Sequence, residues 1–272
     1  MFKQIATKFL PRKLLKAMQP YYRRIALWHL KKMSWNKSYG ELIEFDGYKI
    51  RVTDGPNFYV QYKDEFYHQI YRPNVQCPNP VIIDGGSNIG MSILYFRKHF
   101  PDARIIGFEP DPKIFKLLEE NLRLNNIKGV TLVNAGLSGK EGEGEFLSDE
   151  AAGGFLGSGE NSVKVRLETL SKYLDEPVDF LKLNIEGEEI SVMEEVANSG
   201  KLRNVRELVI EYHGWPNKEQ RLGYILRILD HQGFRYLVHD YDFETGRVSK
   251  PPFNWTPKTT WYCLVYGRRV DK

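Results

Sequence analysis

The chain has 272 residues, 42% of them apolar, and a formal net charge of +4. That length and apolar content support one large α/β domain with additions. Two cysteines, Cys77 and Cys263, exclude a disulfide framework and a thiolate metal cluster. No apolar run approaches the ~20 residues of a membrane-spanning helix, and no secretory core follows the basic N-terminus, so a cytoplasmic protein is expected.

The charge is uneven along the chain. Residues 1–40 hold ten Lys and Arg and no Asp or Glu, which leaves 29 basic and 35 acidic residues, a net −6, for the remainder. An acidic domain argues against a nucleic-acid substrate. In the arm, Phe2, Ile5 and Phe9, with Ala6 and Leu10, fall at helical spacing until Pro11 interrupts. A second helical stretch, KLLKAMQPYYRRIALWHLKKMSW, is apolar, aromatic and basic. It suits an interfacial segment for an anionic membrane or a lipid-linked substrate, giving peripheral membrane contact. It equally suits helices packed on a catalytic domain, or a mobile arm.

Residues 41–80 read as an extension and linker. Asp46-Gly47 is a hairpin signal, a short helix follows, and three prolines in 73–80 mark the linker. From 81 the chain alternates strands (81–84, 104–108, 130–134, 179–184, 207–212) with helices near 88–99, 112–125, 188–197 and 217–232. This alternation predicts a mostly parallel sheet with helices on both faces. Two last strands, FRYLVHDYD and TWYCLVYG, lack a helix between them and should pair antiparallel at the sheet edge. The polar, glycine-rich piece 139–162 reads as a mobile loop over the site. The expected organisation is an arm over 1–40, an extension over 41–80 and a catalytic domain over 81–272.

The most informative segment is VIIDGGSNIG, residues 81–90. A buried strand ends at Asp84, and Gly85, Gly86 and Gly90 let the backbone turn tightly and approach a ligand. Ser87 and Asn88 are N-cap candidates for the next helix. The following strand closes on Glu109. A dinucleotide turn needs G-x-G-x-x-G, and Ser87 stands where the second glycine would fall. Asp84 would repel a pyrophosphate and attract an amine, and Glu109 can accept from ribose hydroxyls. The combination favours S-adenosylmethionine over NAD, leaving an NAD-dependent sugar-modifying enzyme as an alternative.

Two further strand ends carry chemistry. LKLNIEGEEI places Asn184 and Glu186 at the carboxyl edge, where open α/β sheets bind ligands; Glu188 and Glu189 read as an ordinary acidic helix start. LVIEYHG puts Glu211 and His213 on one side of a strand, a carboxylate beside a candidate general base. Asn184, Glu186, Glu211 and His213 could together hold Mg²⁺, which takes oxygen ligands, but the amide at 184 weakens such a site and the reading assigns no metal.

The ordered set VIIDGGSNIG, IIGFEPDPKIFKLLEENLRLNN, VTLVNAGLSGKEGEGEF, VRLETLSKYL, DFLKLNIEGEE and LVIEYHG resembles the FkbM-type family of S-adenosylmethionine-dependent methyltransferases. It covers residues 81–214, with EFYHQIY (65–71) as a pre-core element. The resemblance implies a class I methyltransferase fold with a seven-stranded sheet. It also implies O-methylation of a hydroxyl on a sugar, glycolipid or related small molecule. By position, Asp84, Gly86, Asn88 and Gly90 would line the methionyl end, Glu109 the ribose, and Asn134 and Ser138 the adenine. The family usually has Asp where this chain has Asn184, so a cofactor-binding module without turnover is a second alternative. The expected mechanism has His213, oriented by Glu211, remove the hydroxyl proton, with Glu186 orienting the acceptor or the cofactor amine.

Overall fold

The computed structural model describes residues 12–147, 154–157, 159, 162–215, 219–239, 256 and 259–270, with side chains from Arg23 onward. The readings made on residues 1–11 and on the end of FRYLVHDYD lie outside them. The chain divides into two compact units, residues 1–70 and 71–272.

The first unit begins with helix α1 (Arg12–Ser34), which carries Lys31 and Lys32 in its last turn, where the helix dipole favours cations. A hairpin of β1 (Leu42–Phe45) and β2 (Tyr48–Arg51) follows. Its two turn residues, Asp46 and Gly47, both have positive φ (47° and 89°), as a two-residue primed turn requires. Helix α2 (Gly55–Gln61) is capped by Asp54, whose carboxylate accepts from Asn57 N at 2.8 Å, and it runs on into a π-helical turn, Tyr62–His68. Phe45 packs edge-on against Phe58 and Phe66 at 5.2 and 5.3 Å, giving this unit an aromatic core.

The second unit alternates as the sequence pattern requires. Its elements are β3 (Val81–Gly85), α3 (Met91–His99), β4 (Arg104–Phe108), α4 (Pro112–Leu124), β5 (Val130–Val133), β6 (Gly136–Leu137), β7 (Gly142–Leu147), β8 (Phe155–Leu156), β9 (Ser162–Glu168), β10 (Val178–Leu183), α5 (Glu189–Asn198), β11 (Val205–Gly214), α6 (Leu222–His231), β12 (Phe234–His239) and β13 (Trp261–Arg269). The seven-stranded sheet has the order β12-β13-β11-β10-β3-β4-β5, with β13 antiparallel to both neighbours and β11, β10, β3, β4 and β5 parallel. This is the class I methyltransferase arrangement. The chain leaves β3 in one direction through β4 and β5, and later returns on its other side through β10. The crevice at the carboxyl ends of β3 and β10 is therefore the topological switch point where such sheets bind ligands.

Strand alternation covers both faces of the sheet. On β10, Leu181 and Leu183 join a core with Val192, Met193 and Val196 of α5 and Ile225 and Leu229 of α6. Phe180 points the other way and meets Phe96 of α3, ring centres 5.7 Å apart. Lys182 lies on the same side as Phe180 and is only 2% exposed.

Two sequence expectations need correction. Helix α3 starts at Met91, capped by Gly90 in the left-handed region (φ 95°), and neither Ser87 nor Asn88 caps it. The Ser87 hydroxyl is instead held by Asp84, as described below. The piece 139–162 is not a loop throughout: β7 pairs antiparallel with β9 and β8, and β6 joins β9, in a separate four-stranded sheet. Its high polarity reflects solvent-facing alternation, with Phe146, Val165 and Leu167 forming a small core beneath. Residues 148–153, 158, 160 and 161 lie outside the described set.

Candidate active site

The glycine turn is built around an internal ion pair. Asp84 is fully buried at the end of β3. Its Oδ1 lies 2.8 Å from Lys182 Nζ, and its Oδ2 accepts from the Ser87 and Ser92 hydroxyls at 3.0 and 2.5 Å. Lys182 Nζ also donates to the Gly86 carbonyl at 2.6 Å and the Gly85 carbonyl at 3.3 Å. One lysine thus holds the carboxylate and the turn that follows it. Gly86 is needed for packing as well as for its φ of 82°: a Cβ there would stand 1.9 Å from the Asn184 carbonyl. A Cβ on Gly107 would likewise stand 2.7 Å from Ser87 Oγ. The expectation that Asp84 offers its carboxylate to a ligand amine is corrected, because the protein supplies its own cation. Lys182 was hidden from sequence reasoning inside an apolar run, DFLKLN.

Glu109, just past β4, is 5% exposed. Its Oε2 accepts from Asn88 N and its Oε1 from Asp111 N, each at 2.9 Å. Asn88 reaches it from a left-handed backbone (φ 47°), a conformation asparagine tolerates. Burial pushes the Glu109 carboxyl up to about 8, and the Asp111 carboxylate adds to it. The two backbone amides and Lys182 pull in the opposite direction. Each carboxylate oxygen has a second lone pair, so the group can still accept from a ligand. Asn134 Nδ2 donates to the Glu109 and Pro110 carbonyls at 2.8 and 3.1 Å, fixing the loop that carries Glu109. Ser138 Oγ donates to Glu188 at 3.1 Å.

At the neighbouring strand ends, His213 is surrounded by carboxylates. Its Nδ1 lies 3.3 Å from Glu189, and its Nε2 lies 3.4 Å from Glu186 and 3.7 Å from Glu211. Burial alone would lower its pKa, but Glu186, Glu189 and Glu211 together push it up to about 10. The three facing carboxylates thus favour the imidazolium, which bears on the expectation that His213, oriented by Glu211, serves as general base. Glu189 was read as a helix start only; it is 1% exposed in its side chain and also accepts from Gly187 N at 3.1 and 3.0 Å. Glu186 sits at φ 54° beside Gly187 at 106°. A left-handed glutamate costs roughly 1–2 kcal/mol, and such outliers concentrate at functional sites. Tyr71, also missed, donates its hydroxyl to Glu211 Oε2. No local signal could have found it, since 140 positions separate the pair.

The geometry thus brings the expected residues to one edge, in two groups. The family described as "Methyltransferase FkbM domain" matches residues 84–236, more than half of the chain, and takes in the site residues above except Tyr71. The chain belongs to the FkbM methyltransferase family. It is accordingly an S-adenosylmethionine-dependent methyltransferase. The FkbM chain is 28% identical to "Methyltransferase sdnD" of Sordaria araneosa over 85% of its own length and 97% of that protein. It is 25% identical to "Methyltransferase 1" of Beauveria bassiana over 53% of its length and 74% of the relative. Among solved structures, it is similar to methyltransferase FkbM from Methylobacillus flagellatus, with a TM-score of 0.46 and 17% identity over 77% of this chain and 52% of that one.

The residues of this FkbM domain fit the cofactor by their chemistry. The cation at the turn, Lys182, is engaged by Asp84, so the turn offers a phosphate no counter-charge. Glu109 can take hydroxyl donors. Asn184 Oδ1 is buried at the switch point with no protein partner, an acceptor suited to an amine. Among the described residues no three His, Cys, Asp or Glu side chains converge as a metal-ligand set.

Proposed function

We propose that this FkbM methyltransferase methylates a hydroxyl of a sugar, glycolipid or related polyhydroxyl acceptor. The surplus of carboxylate around His213 carries the reading. Three carboxylates face one imidazolium within 3.3–3.7 Å, so the cluster keeps capacity to take up a proton. An alcohol is a poor nucleophile until its proton leaves, and a site built to receive a proton suits that acceptor.

When bound, S-adenosylmethionine supplies a sulfonium methyl whose departing thioether needs no acid. The protein's own work is to position and to accept a proton. Glu109 holds the ribose hydroxyls, and Asn184 Oδ1 faces the amine. Asp84 and Lys182 keep the turn in shape, with Gly85, Gly86, Ser87, Asn88 and Gly90 as its backbone. Glu186, the most exposed of the three carboxylates at 19%, receives the hydroxyl proton, and His213 with Glu189 holds it in place. Glu211 completes the charge around His213. Asn134 and Ser138 shape the adenine side. No step calls for Mg²⁺.

The test is an acceptor screen with methyl-labelled S-adenosylmethionine. Label on a sugar hydroxyl, falling tenfold or more in Glu186→Gln, is the expected result. Transfer confined to amines or carboxylic acids would refute the reading.

The basic arm over 1–40 is inferred to make peripheral membrane contact from a cytoplasmic enzyme. Trp28 is 63% exposed and Ile25 46% exposed on a helix carrying Arg24, Lys31 and Lys32. No helix among the described residues is long and apolar enough to cross a membrane. Anionic liposomes should float the full chain and lose that binding when Trp28 and Ile25 become Ser; equal flotation of both would reject the inference.

A further inference from the structure

The contacts around Asn184 call for an amide at that position. Asn184 Nδ2 donates to the Tyr71 hydroxyl oxygen at 3.4 Å, and the Tyr71 hydroxyl donates to Glu211 Oε2. A phenol has one proton. Glu211 accepts it, so toward Asn184 the phenol oxygen acts as an acceptor. Asn184 has an N–H to give; an aspartate there would present lone pairs to lone pairs.

We propose that Asn184 and Tyr71 are positioning residues: they form a directional hydrogen-bond chain, Asn184 to Tyr71 to Glu211, that fixes Glu211 against His213 and makes the amide at 184 a requirement of this site. The chain joins the two halves of the edge. Asn184 is anchored on the cofactor side, where its backbone N–H donates to the Gly85 carbonyl at 3.0 Å. Its Oδ1 is buried without a protein partner, while its Nδ2 is committed to Tyr71. Glu211 is on the acceptor side, 3.7 Å from His213. Tyr71 is 3% exposed and links them.

The surrounding charges do not relieve an aspartate at 184. Lys182 Nζ is 5.2 Å from the Tyr71 ring centre and is engaged by Asp84 at 2.8 Å. His213 is shared with Glu186 and Glu189. Tyr266, which also faces Glu211, is pushed up to about 12 by burial and by that carboxylate, and remains a phenol. A carboxylate introduced at position 184 would compete with Glu211 for one phenolic proton, and one of the two would have to hold a proton of its own. A carboxyl with a raised folded-state pKa contributes stability at low pH and loses it as pH rises.

The inference rests on contacts within the protein, so its test needs no acceptor and is separable from the acceptor reading. Thermal unfolding of the full chain is followed from pH 5 to pH 8 for the parent, Asn184→Asp, Asn184→Ala and a double variant that combines Asn184→Asp with Glu211→Gln. Calorimetric titration with S-adenosylhomocysteine accompanies it. The Tm deficit of Asn184→Asp should widen with pH, by about 3 °C or more, while that of Asn184→Ala stays constant. The double variant reverses the chain: the new amide at 211 donates to Tyr71, and Tyr71 donates to the new carboxylate at 184. It should recover at least half of the deficit. Asn184→Asp should not bind S-adenosylhomocysteine more tightly than the parent. An Asn184→Asp protein as stable as the parent at every pH, or binding more tightly, would overturn the proposal. If Asn184→Asp folds at no pH, the double variant decides: a folded protein supports the chain and an unfolded one overturns it.

Discussion

The two halves of the active edge solve opposite electrostatic problems. At β3, one carboxylate meets one ammonium: Asp84 and Lys182 are both buried and 2.8 Å apart, with two serine hydroxyls and two carbonyls completing the set. At β11, one imidazolium meets three carboxylates. The first half is balanced and closed, and its work is to hold a turn. The second keeps an excess of negative charge, so it can take up a proton. A buried charge at a ligand edge is therefore a scaffold where it is matched and a candidate reagent where it is not.

Breaking the balanced half should have the largest effect. Lys182→Met leaves Asp84 buried without a cation and should cost about 3–5 kcal/mol in urea unfolding. A loss under about 1 kcal/mol would mean the pair does not hold the turn. The unbalanced half should respond mainly to pH. His213, raised from 6.5 to about 10, contributes stability that is fully present below pH 6.5 and lost as pH rises through 10. Glu109, raised from 4.5 to about 8, loses its contribution in the same direction, between pH 4.5 and 8. Unfolding free energy should fall by roughly 4–6 kcal/mol between pH 6.5 and 10, about two-thirds of it from His213. His213→Gln should flatten that slope while leaving the Glu109 part. A slope unchanged in His213→Gln would show that the imidazole is not held charged.

The sheet was legible because its physics is local. Short apolar runs, glycines at turns and alternating helices read directly as parallel strands, and the matching seven-stranded order follows. Glu109, Glu211 and His213 were legible because strand ends carry ligands and period-two spacing sets faces. Other features were hidden for specific reasons. Lys182 sits in an apolar run, and a buried lysine is intelligible only once Asp84 is beside it. Glu189 looked like a dipole-favoured helix start, and its burial against His213 depends on β11. Tyr71 belongs to the site through a contact 140 residues away. The four-stranded sheet was masked by its polar outer positions.

The most direct test of the cofactor half is calorimetric titration of the full chain with S-adenosylhomocysteine and, separately, with NAD. S-adenosylhomocysteine should bind with one site per chain and NAD should not bind. Glu109→Ala should weaken S-adenosylhomocysteine roughly tenfold to a hundredfold, the loss of about two hydrogen bonds to the ribose hydroxyls. Binding of NAD, or an affinity for S-adenosylhomocysteine unchanged by Glu109→Ala, would contradict the site.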